Sequence, residues 1–364
     1  MSEPVAPVAV RPARTDLLGL PREALAAVLA PFVDRPFRTG QVYRAIYRRG
    51  RTDFAEMTDL SAALRRTLAA RFRIGIPEVL EEHRAADGTV KFLFRLADGA
   101  TIEAVDIPDP GRRTLCLSSQ AGCALGCSFC VTGYWGAGRD LTAGEIVGQV
   151  LAMRRTHPPG APGLNLVFMG MGEPLLNLEG LAGALGILTE TISWRRITVS
   201  TAGVIPGIEA MAGWPRRPNL AVSLHAPDDE RRSALMPINR TYPLADLLAA
   251  LRRYPLEPGR RLTFEYTLIR GFNDRLEDAD ALARLLGGFR AKVNLIPVNP
   301  DPVLGEKTVP PPPQRVEDFR SRLERPGMVA TIRRRRGDDV AAACGQLRAP
   351  GRAPRGFRRS NLSW

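Results

Sequence analysis

Lysine is nearly missing from this chain. Only Lys91, Lys292 and Lys307 of its 51 basic residues are lysines, the rest are arginines, and 38 acidic residues leave a net charge of +13. The base composition of a GC-rich genome accounts for the preference for arginine. It does not account for the excess of basic over acidic groups, which attracts polyanions such as nucleic acid. Long apolar runs are missing too: no stretch of about 18 residues could cross a membrane as a helix. The first residues (MSEPVAPVAVRPARTD) lack the apolar segment of a secretory signal. The expectation is a cytoplasmic protein with no membrane partner. Cysteine is scarce and odd in number, at Cys116, Cys123, Cys127, Cys130 and Cys344. In a reducing compartment such a set argues against a disulfide framework and for metal binding or chemistry.

What is present divides the 364 residues into five stretches, enough for one large core and an accessory piece. Residues 1–15, rich in proline and small side chains, are expected to be disordered. In 16–76, apolar residues at helical spacing (Leu25, Val28, Leu29; Val42, Ile46; Leu60, Leu64, Leu68, Phe72) predict three short helices. Residues 1–73 hold 13 basic against 7 acidic groups. A charge run alone marks only a solvated face. The sign bias of Arg44, Arg48, Arg49, Arg65, Arg66, Arg71 and Arg73 makes this a candidate RNA-binding accessory domain.

In 77–110, Asp87-Gly88 and Asp98-Gly99 between strand-like runs predict a three-stranded β-meander. Residues 111–348 alternate strand and helix six times, from TLCLSS to KVNLIPV, before a seventh strand-like run, VATIRRRRG. This predicts an α/β fold with a parallel sheet and outer helices. Six units are too few for a closed eight-stranded barrel. An open, partial (β/α)6 barrel is expected, with its chemistry at the C-terminal ends of the strands. The prolines of 309–313 suggest a rigid surface connection, and 349–364 a basic, flexible tail.

Cys123, Cys127 and Cys130 stand at Cys-x3-Cys-x2-Cys in a loop directly after the first barrel strand. Three thiolates can hold three irons of a cubane cluster and leave the fourth iron open. A structural zinc ion would want a fourth ligand, which Cys116, inside a predicted strand, is poorly placed to supply. Alone, Cys116 and Cys344 read as inert buried thiols. Alone, His225 reads as a satisfied buried histidine and Glu103 as a solvated strand residue.

The cysteine spacing, with Phe129 before the last thiol, resembles that of the radical S-adenosylmethionine superfamily. The segments GMGEPLLN (170–177), TVSTAG (198–203), SLHA (223–226), MPIN (236–239), NLIPVNP (294–300) and RRGDDVAAACGQL (335–347) extend the likeness over nearly the whole chain. In order and spacing they resemble the RlmN/Cfr family of RNA adenine methyltransferases, and its RlmN branch most. That resemblance makes the expected barrel a radical S-adenosylmethionine barrel. It implies a [4Fe–4S] cluster on Cys123, Cys127 and Cys130, and two S-adenosylmethionine molecules per turnover. Gly172, Glu173, Ser200, Ser223, Leu224, His225 and Asn299 occupy the family's cofactor-binding positions.

The resemblance also assigns the two lone cysteines. Cys344 is methylated first, a radical then removes hydrogen from its S-methyl group, and the resulting methylene adds to adenine. Glu103 accepts the proton, and Cys116 resolves the thioether through a transient disulfide with Cys344. The detour has a chemical reason: adenine C2 is electron-poor and cannot attack a sulfonium methyl group. The implied activity is methylation of adenosine C2 in the peptidyl-transferase region of 23S rRNA, and of adenosine 37 in tRNA. The implied partners are those RNAs and a reductant such as flavodoxin, with the protein a monomer. A C8-methylating, Cfr-like enzyme shares the cysteine scheme. A non-enzymatic RNA-binding protein with a structural metal site is the alternative from another class. Tyr134, Trp135 and Val298 depart from the residues usual in the RlmN branch and bear on substrate detail.

Overall fold

Three helices open the described chain: α1 (Arg22–Leu29), α2 (Phe37–Tyr47) and α3 (Ala62–Arg71). The computed structural model describes residues 14–156, 163–306 and 308–348. The expectations for most of 1–15 and for the tail at 349–364 therefore fall outside the described residues. Leu25, Leu29, Val42, Ile46 and Leu68 are buried between the helices, each such aliphatic side chain stabilising by about 1.5–3 kcal/mol. The third helix is shorter than its apolar spacing predicts. Ser61 caps it, its hydroxyl accepting from the Leu64 N–H at 3.2 Å. Leu60 therefore lies before the helix, and Phe72 leaves it for a two-residue strand. That strand, β2 (Phe72–Arg73), pairs in parallel with β1 (Thr15–Asp16).

The meander comprises β3 (Glu78–Arg84), β4 (Val90–Arg95) and β5 (Thr101–Asp109), all antiparallel. It does not stop there. β5 turns directly into β6 (Arg112–Cys116), which pairs with it antiparallel from Val105–Cys116 to Asp109–Arg112. The first barrel strand is thus also the last strand of the meander. The outer strand β3 is exposed along its length and carries Glu78, Glu81, Glu82 and Arg84, charges that discourage edge pairing.

From β6 the sheet runs in parallel through β7 (Leu164–Phe168), β8 (Ile197–Thr201), β9 (Asn219–Ser223), β10 (Leu262–Leu268), β11 (Ala291–Pro297) and β12 (Val329–Ile332). The helices α4 (Ala143–Arg154), α5 (Leu178–Leu188), α6 (Ile205–Ala212), α8 (Leu244–Arg253), α9 (Leu276–Leu285) and α10 (Pro313–Glu324) follow successive strands, giving the expected α/β barrel. One helix was not foreseen. After β9, α7 (Asp229–Leu235) forms where Asp228 accepts from the Arg231 N–H at 2.9 Å and two acids occupy the first turn.

The N-terminal helices dock on the barrel at a point that admits no side chain. Gly19 lies against Gly144 in the first turn of α4, and a Cβ on Gly144 would stand 2.6 Å from the Leu18 carbonyl oxygen. The Tyr47 hydroxyl fixes this turn, accepting from the Gly19 N–H at 2.9 Å and donating to the Leu20 carbonyl at 3.1 Å.

Candidate active site

The cysteine loop, residues 117–142, is folded back on itself at Gly122. Its φ of +127° belongs to glycine, and a Cβ there would lie 2.7 Å from the Gly136 carbonyl oxygen. Backbone bonds hold the turn: Ala121 N–H donates to Arg139 O at 2.9 Å, Cys123 N–H to Gly136 O at 3.0 Å and Cys130 N–H to Cys127 O at 3.1 Å. Arg139 fastens the far end, pairing with Asp98 at 2.6 Å on the β4–β5 turn and with Glu145 at 2.7 Å in the capping box of α4. Tyr134 and Trp135 lie in the short helical turn that follows, where the Tyr134 hydroxyl donates to the Ser128 carbonyl at 3.4 Å.

The loop faces the C-terminal ends of the strands across a cavity with about 950 Å³ of empty space, open to solvent. Cys123, Cys127, Cys130 and Cys344 all line it. So do Gly172, Glu173, Ser200, Ser223, His225 and Asn299, together with the atypical Val298. Leu224 does not: its side chain is fully buried, while its N–H donates to the Glu265 carbonyl at 2.9 Å. Cys116 and Glu103 also lie outside the lining.

Burial sets the protonation states here. Glu173 accepts from the Leu175 N–H at 3.0 Å and the Ala202 N–H at 2.7 Å. Desolvation nonetheless pushes its pKa up to about 7. His225 adopts a φ of +59°, accepts at Nδ1 from the Thr267 N–H at 2.9 Å and meets the Phe129 ring edge-on, 4.5 Å between centroids. Burial pushes its pKa down to about 3, so the ring is neutral and Nε2 carries the proton. The thiols of Cys123, Cys127 and Cys130 are all pushed up by burial. Arg333 is the cation of the lining, 3.9 Å from Glu265.

Cys344 sits on a strap, residues 335–348, that crosses from β12 back to the meander. Arg336 pairs with Asp109 at 2.9 Å, Asp339 accepts from the Ala86 N–H at 3.0 Å and Glu103 accepts from the Arg348 N–H at 2.7 Å. Glu103 is itself buried against Lys91 at 3.1 Å. Burial raises its pKa while Lys91 and the Arg348 N–H pull it down. The strap is also tied to the cysteine loop: Val131 N–H donates to Gly345 O and Thr132 Oγ1 to Leu347 O, both at 2.7 Å. Asn299 Nδ2 donates to the Cys344 carbonyl at 3.0 Å. The Cys344 thiol is accessible because it touches the cavity, yet enough protein surrounds it to push its pKa up. Cys116, at the end of β6, lies within electrostatic reach of both Cys344 and Arg333, and burial pushes it up to about 12. All five cysteines are free thiols.

Residues 117–286 match the profile of the radical SAM superfamily, and residues 15–74 that of the ribosomal RNA large subunit methyltransferase N-terminal domain. Over 346 residues the chain is 49% identical to the dual-specificity RNA methyltransferase RlmN of Anaeromyxobacter dehalogenans, covering 92% of each. The chain belongs to the RlmN family. The RlmN of Halorhodospira halophila is likewise 49% identical, covering 91% of this chain and 93% of that one. The crystal structure of a radical SAM methyltransferase from Sphaerobacter thermophilus superposes with a TM-score of 0.87 at 45% identity, over 92% of this chain and 99% of that one.

As a radical SAM methyltransferase of the RlmN family, the protein uses a [4Fe–4S] cluster and S-adenosylmethionine. The donor set fits the cluster. Glu173 has both oxygens engaged by backbone N–H groups, and His225 has its lone pair engaged by Thr267. Of the four thiols on the cavity, Cys123, Cys127 and Cys130 share one loop and Cys344 stands apart on the strap; three thiolates from one loop can hold three irons of a cubane and leave the fourth open.

Arg333 of the lining and two further residues of this RlmN-family site, Glu265 and Arg232, went unnoticed in the sequence. Glu265 is buried with Oε1 bonded to Asn294 at 2.9 Å and Oε2 without a hydrogen bond; no local motif marks it. Arg232 is completely buried behind the wall. Its sequence, DDERRSAL, has the look of a solvated helix.

Proposed function

We propose that this RNA methyltransferase acts at C2 of adenosine in 23S rRNA and of adenosine 37 in tRNA, through a methylated Cys344. What supports the reading is the placement of the cysteines: Cys344 faces the three-thiol loop across one cavity, with Cys116 behind it. When bound, the cluster and S-adenosylmethionine supply the methyl group and a radical able to take hydrogen from it.

The protein's own residues do the rest. Gly172, Glu173, Ser200, Ser223, His225 and Asn299, with the backbone of Leu224, hold S-adenosylmethionine against Cys123, Cys127 and Cys130. Cys344 carries the methyl carbon and joins it to the base. Glu103 takes the proton from C2 of the base, while the odd electron left by radical addition would return to the cluster when it is bound; Glu103 lies behind the strap, so the Arg348 N–H must release it first. Attack of the Cys116 thiolate on the Cys344 sulfur then breaks the carbon–sulfur bond; the freed methylene carbon keeps the bonding electrons and takes up a proton to become the methyl group, releasing methylated RNA and leaving a disulfide for cellular thiols to reduce. A flavodoxin-type protein supplies electrons, and the protein works as a cytoplasmic monomer.

Residues 16–76 form the RNA-holding accessory unit, 77–110 the extension and 111–348 the catalytic barrel. Within the accessory unit Arg49, Arg65, Arg71 and Arg73 are engaged by Asp59, the Ala55 carbonyl, the Phe32 ring and Asp16. The exposed Arg44, Arg48 and Arg66 are the ones left to meet phosphate.

The test is a Cys116→Ala protein made in cells. It should co-purify with covalently bound RNA, seen as a nuclease-sensitive shift on a denaturing gel, and Cys116→Ala/Cys344→Ala should not. A clean Cys116→Ala band from an active, cluster-loaded preparation would defeat the mechanism. Mass spectrometry of cellular RNA with and without the gene tests the C2 assignment: loss of an 8-methyl mark would overturn it.

A further inference from the structure

Among the described residues Arg232 is the largest side chain with no exposed surface. Its Nη2 donates to the Ala202 carbonyl at 2.7 Å and the Ser223 carbonyl at 3.0 Å, where β8 and β9 end, and Nη1 donates to Asn239 Oδ1 at 2.6 Å. Ala202 and Ser223 line the cavity, so the guanidinium stands directly behind its wall. Among the described residues no carboxylate pairs with it, and its Nε has no hydrogen-bond partner. The acid beside it on α7, Asp229, is engaged by Asn239 Nδ2 at 2.9 Å and the Leu244 N–H at 2.8 Å.

A buried cation without an anion is costly, and proteins offset such charges by pairing. The missing negative charge lies on the other side of the wall. Leu235, in the same helix, accepts from the Ser128 N–H of the cysteine loop at 2.9 Å. Leu235, Met236 and Ala202 pack in one apolar cluster against Cys127 and Phe129. Because Nη2 is used on two carbonyls, Arg232 does not enter the cavity, and it acts there by charge.

We propose that Arg232 is the built-in counter-charge of the iron–sulfur cluster: a fixed, buried positive charge behind Cys127 that favours bound thiolates and the reduced cluster. Three thiolates outweigh the charge of the oxidised core, and the reducing electron adds one more negative charge. A cation held in a low-dielectric wall favours that step without touching a ligand. Arg232 is thus a positioning residue whose effect is electrostatic. The proposal rests on Cys123, Cys127 and Cys130 holding the cluster; wild-type protein that takes up no iron would defeat that reading separately.

The experiment compares anaerobically reconstituted wild type, Arg232→Lys and Arg232→Gln. Both substitutions keep a donor for the strand-end carbonyls, and only lysine keeps the charge. The readouts are iron content, the cluster midpoint potential from spectroscopically monitored titration, and the melting temperature of the iron-free proteins. Arg232→Lys should titrate near wild type. Arg232→Gln should show a reduced-to-oxidised ratio about tenfold lower at the wild-type midpoint, a shift of about 59 mV for one electron. Failure of Arg232→Gln alone to retain iron would also support the proposal. Equal potentials in all three proteins, or equal iron loss in both variants, would overturn it. So would an iron-free Arg232→Gln protein melting below iron-free Arg232→Lys, since the charge would then serve the fold itself.

Discussion

Replacing Lys91 with methionine strands one half of a buried ion pair and loosens the strap that carries Cys344. Lys91 Nζ and Glu103 Oε1 are 3.1 Å apart, with side chains 8% and 5% exposed. Unit charges at that separation attract by about 5 kcal/mol at an effective dielectric of about 20. The loss is smaller than this, because Glu103 can escape by taking a proton. Its pKa already lies above the ordinary carboxyl value through burial, and without Lys91 it rises further. Protonating a carboxyl that titrates near 4.3 when unfolded costs about 4 kcal/mol at about pH 7.5 and under about 2 kcal/mol at about pH 5.5. That cost, less the part wild type already bears through its own raised pKa, is the ceiling on the penalty. The sign follows from linkage: a carboxyl with a raised folded pKa contributes stability fully present below its unfolded pKa and lost as pH rises through the folded one. The variant should therefore weaken, relative to wild type, as pH rises between those two values.

Urea unfolding of iron-free wild type, Lys91→Met, Glu103→Gln and the double variant at both pH values measures this. The expected penalty for Lys91→Met is about 2 to 3 kcal/mol at the higher pH. Coupling to Glu103→Gln should be about 2 kcal/mol or more, since glutamine leaves no charge to strand. Alkylation of Cys344 should also speed up as Arg348 loses its anchor. A penalty below about 1 kcal/mol at both pH values would refute a buried, ionised pair.

Glu173 should make stability fall with pH in the iron-free protein. With a folded pKa of about 7 against an ordinary 4.5, wild type should lose about 3 kcal/mol relative to Glu173→Gln between about pH 4.5 and pH 8; a flat difference in calorimetry would contradict the burial argument. Gly172→Ala places a Cβ 2.5 Å from the Gln120 Cβ at a φ of +92°, and should cost about 2 kcal/mol or more and weaken S-adenosylmethionine binding at least tenfold by equilibrium dialysis. Changing Arg44, Arg48 and Arg66 together to glutamine should lower the salt slope of RNA binding by about one per lost contact, whereas an unchanged slope would mark these helices as scaffold.

The parallel sheet, the hairpins and the three-cysteine loop were legible because each leaves a local signature: period-two runs, Asp-Gly turns and close thiol spacing. The end of the third helix was misread because apolar spacing carries through Leu60 and Phe72, while the Ser61 cap and the pairing of Phe72 with Thr15 decide the ends. α7 had a usable signal in Asp228-Asp229-Glu230, an N-cap followed by acids at the positive end of a helix. Asp109-Pro110-Gly111 likewise marks the turn that joins the meander to β6. Lys91, Glu265 and Arg232 were not legible at all. Their environments are assembled from strands and helices far apart in sequence, and nothing in their own neighbourhoods distinguishes them from solvated charges.

The openness of the barrel leaves a gap for the strap to cross. Cys116 ends β6 and Cys344 follows β12, the two ends of the parallel run. In a closed barrel those strands would bond to each other and seal Cys116 behind a ladder. Here β6 gives its free edge to β5 instead, and β12 ends at Ile332 with no further strand beside it among the described residues. The strap crosses the gap, fastened to Asp109, Ala86 and Glu103 on the meander and to Val131 and Thr132 on the cysteine loop. It carries Cys344 to the cavity lining, within electrostatic reach of Cys116 at the end of β6. The meander, read in the sequence as an extension, therefore supplies the far anchorage of the segment that carries Cys344. Loosening that anchorage at Lys91 should disturb Cys344 before it disturbs the three-thiol loop.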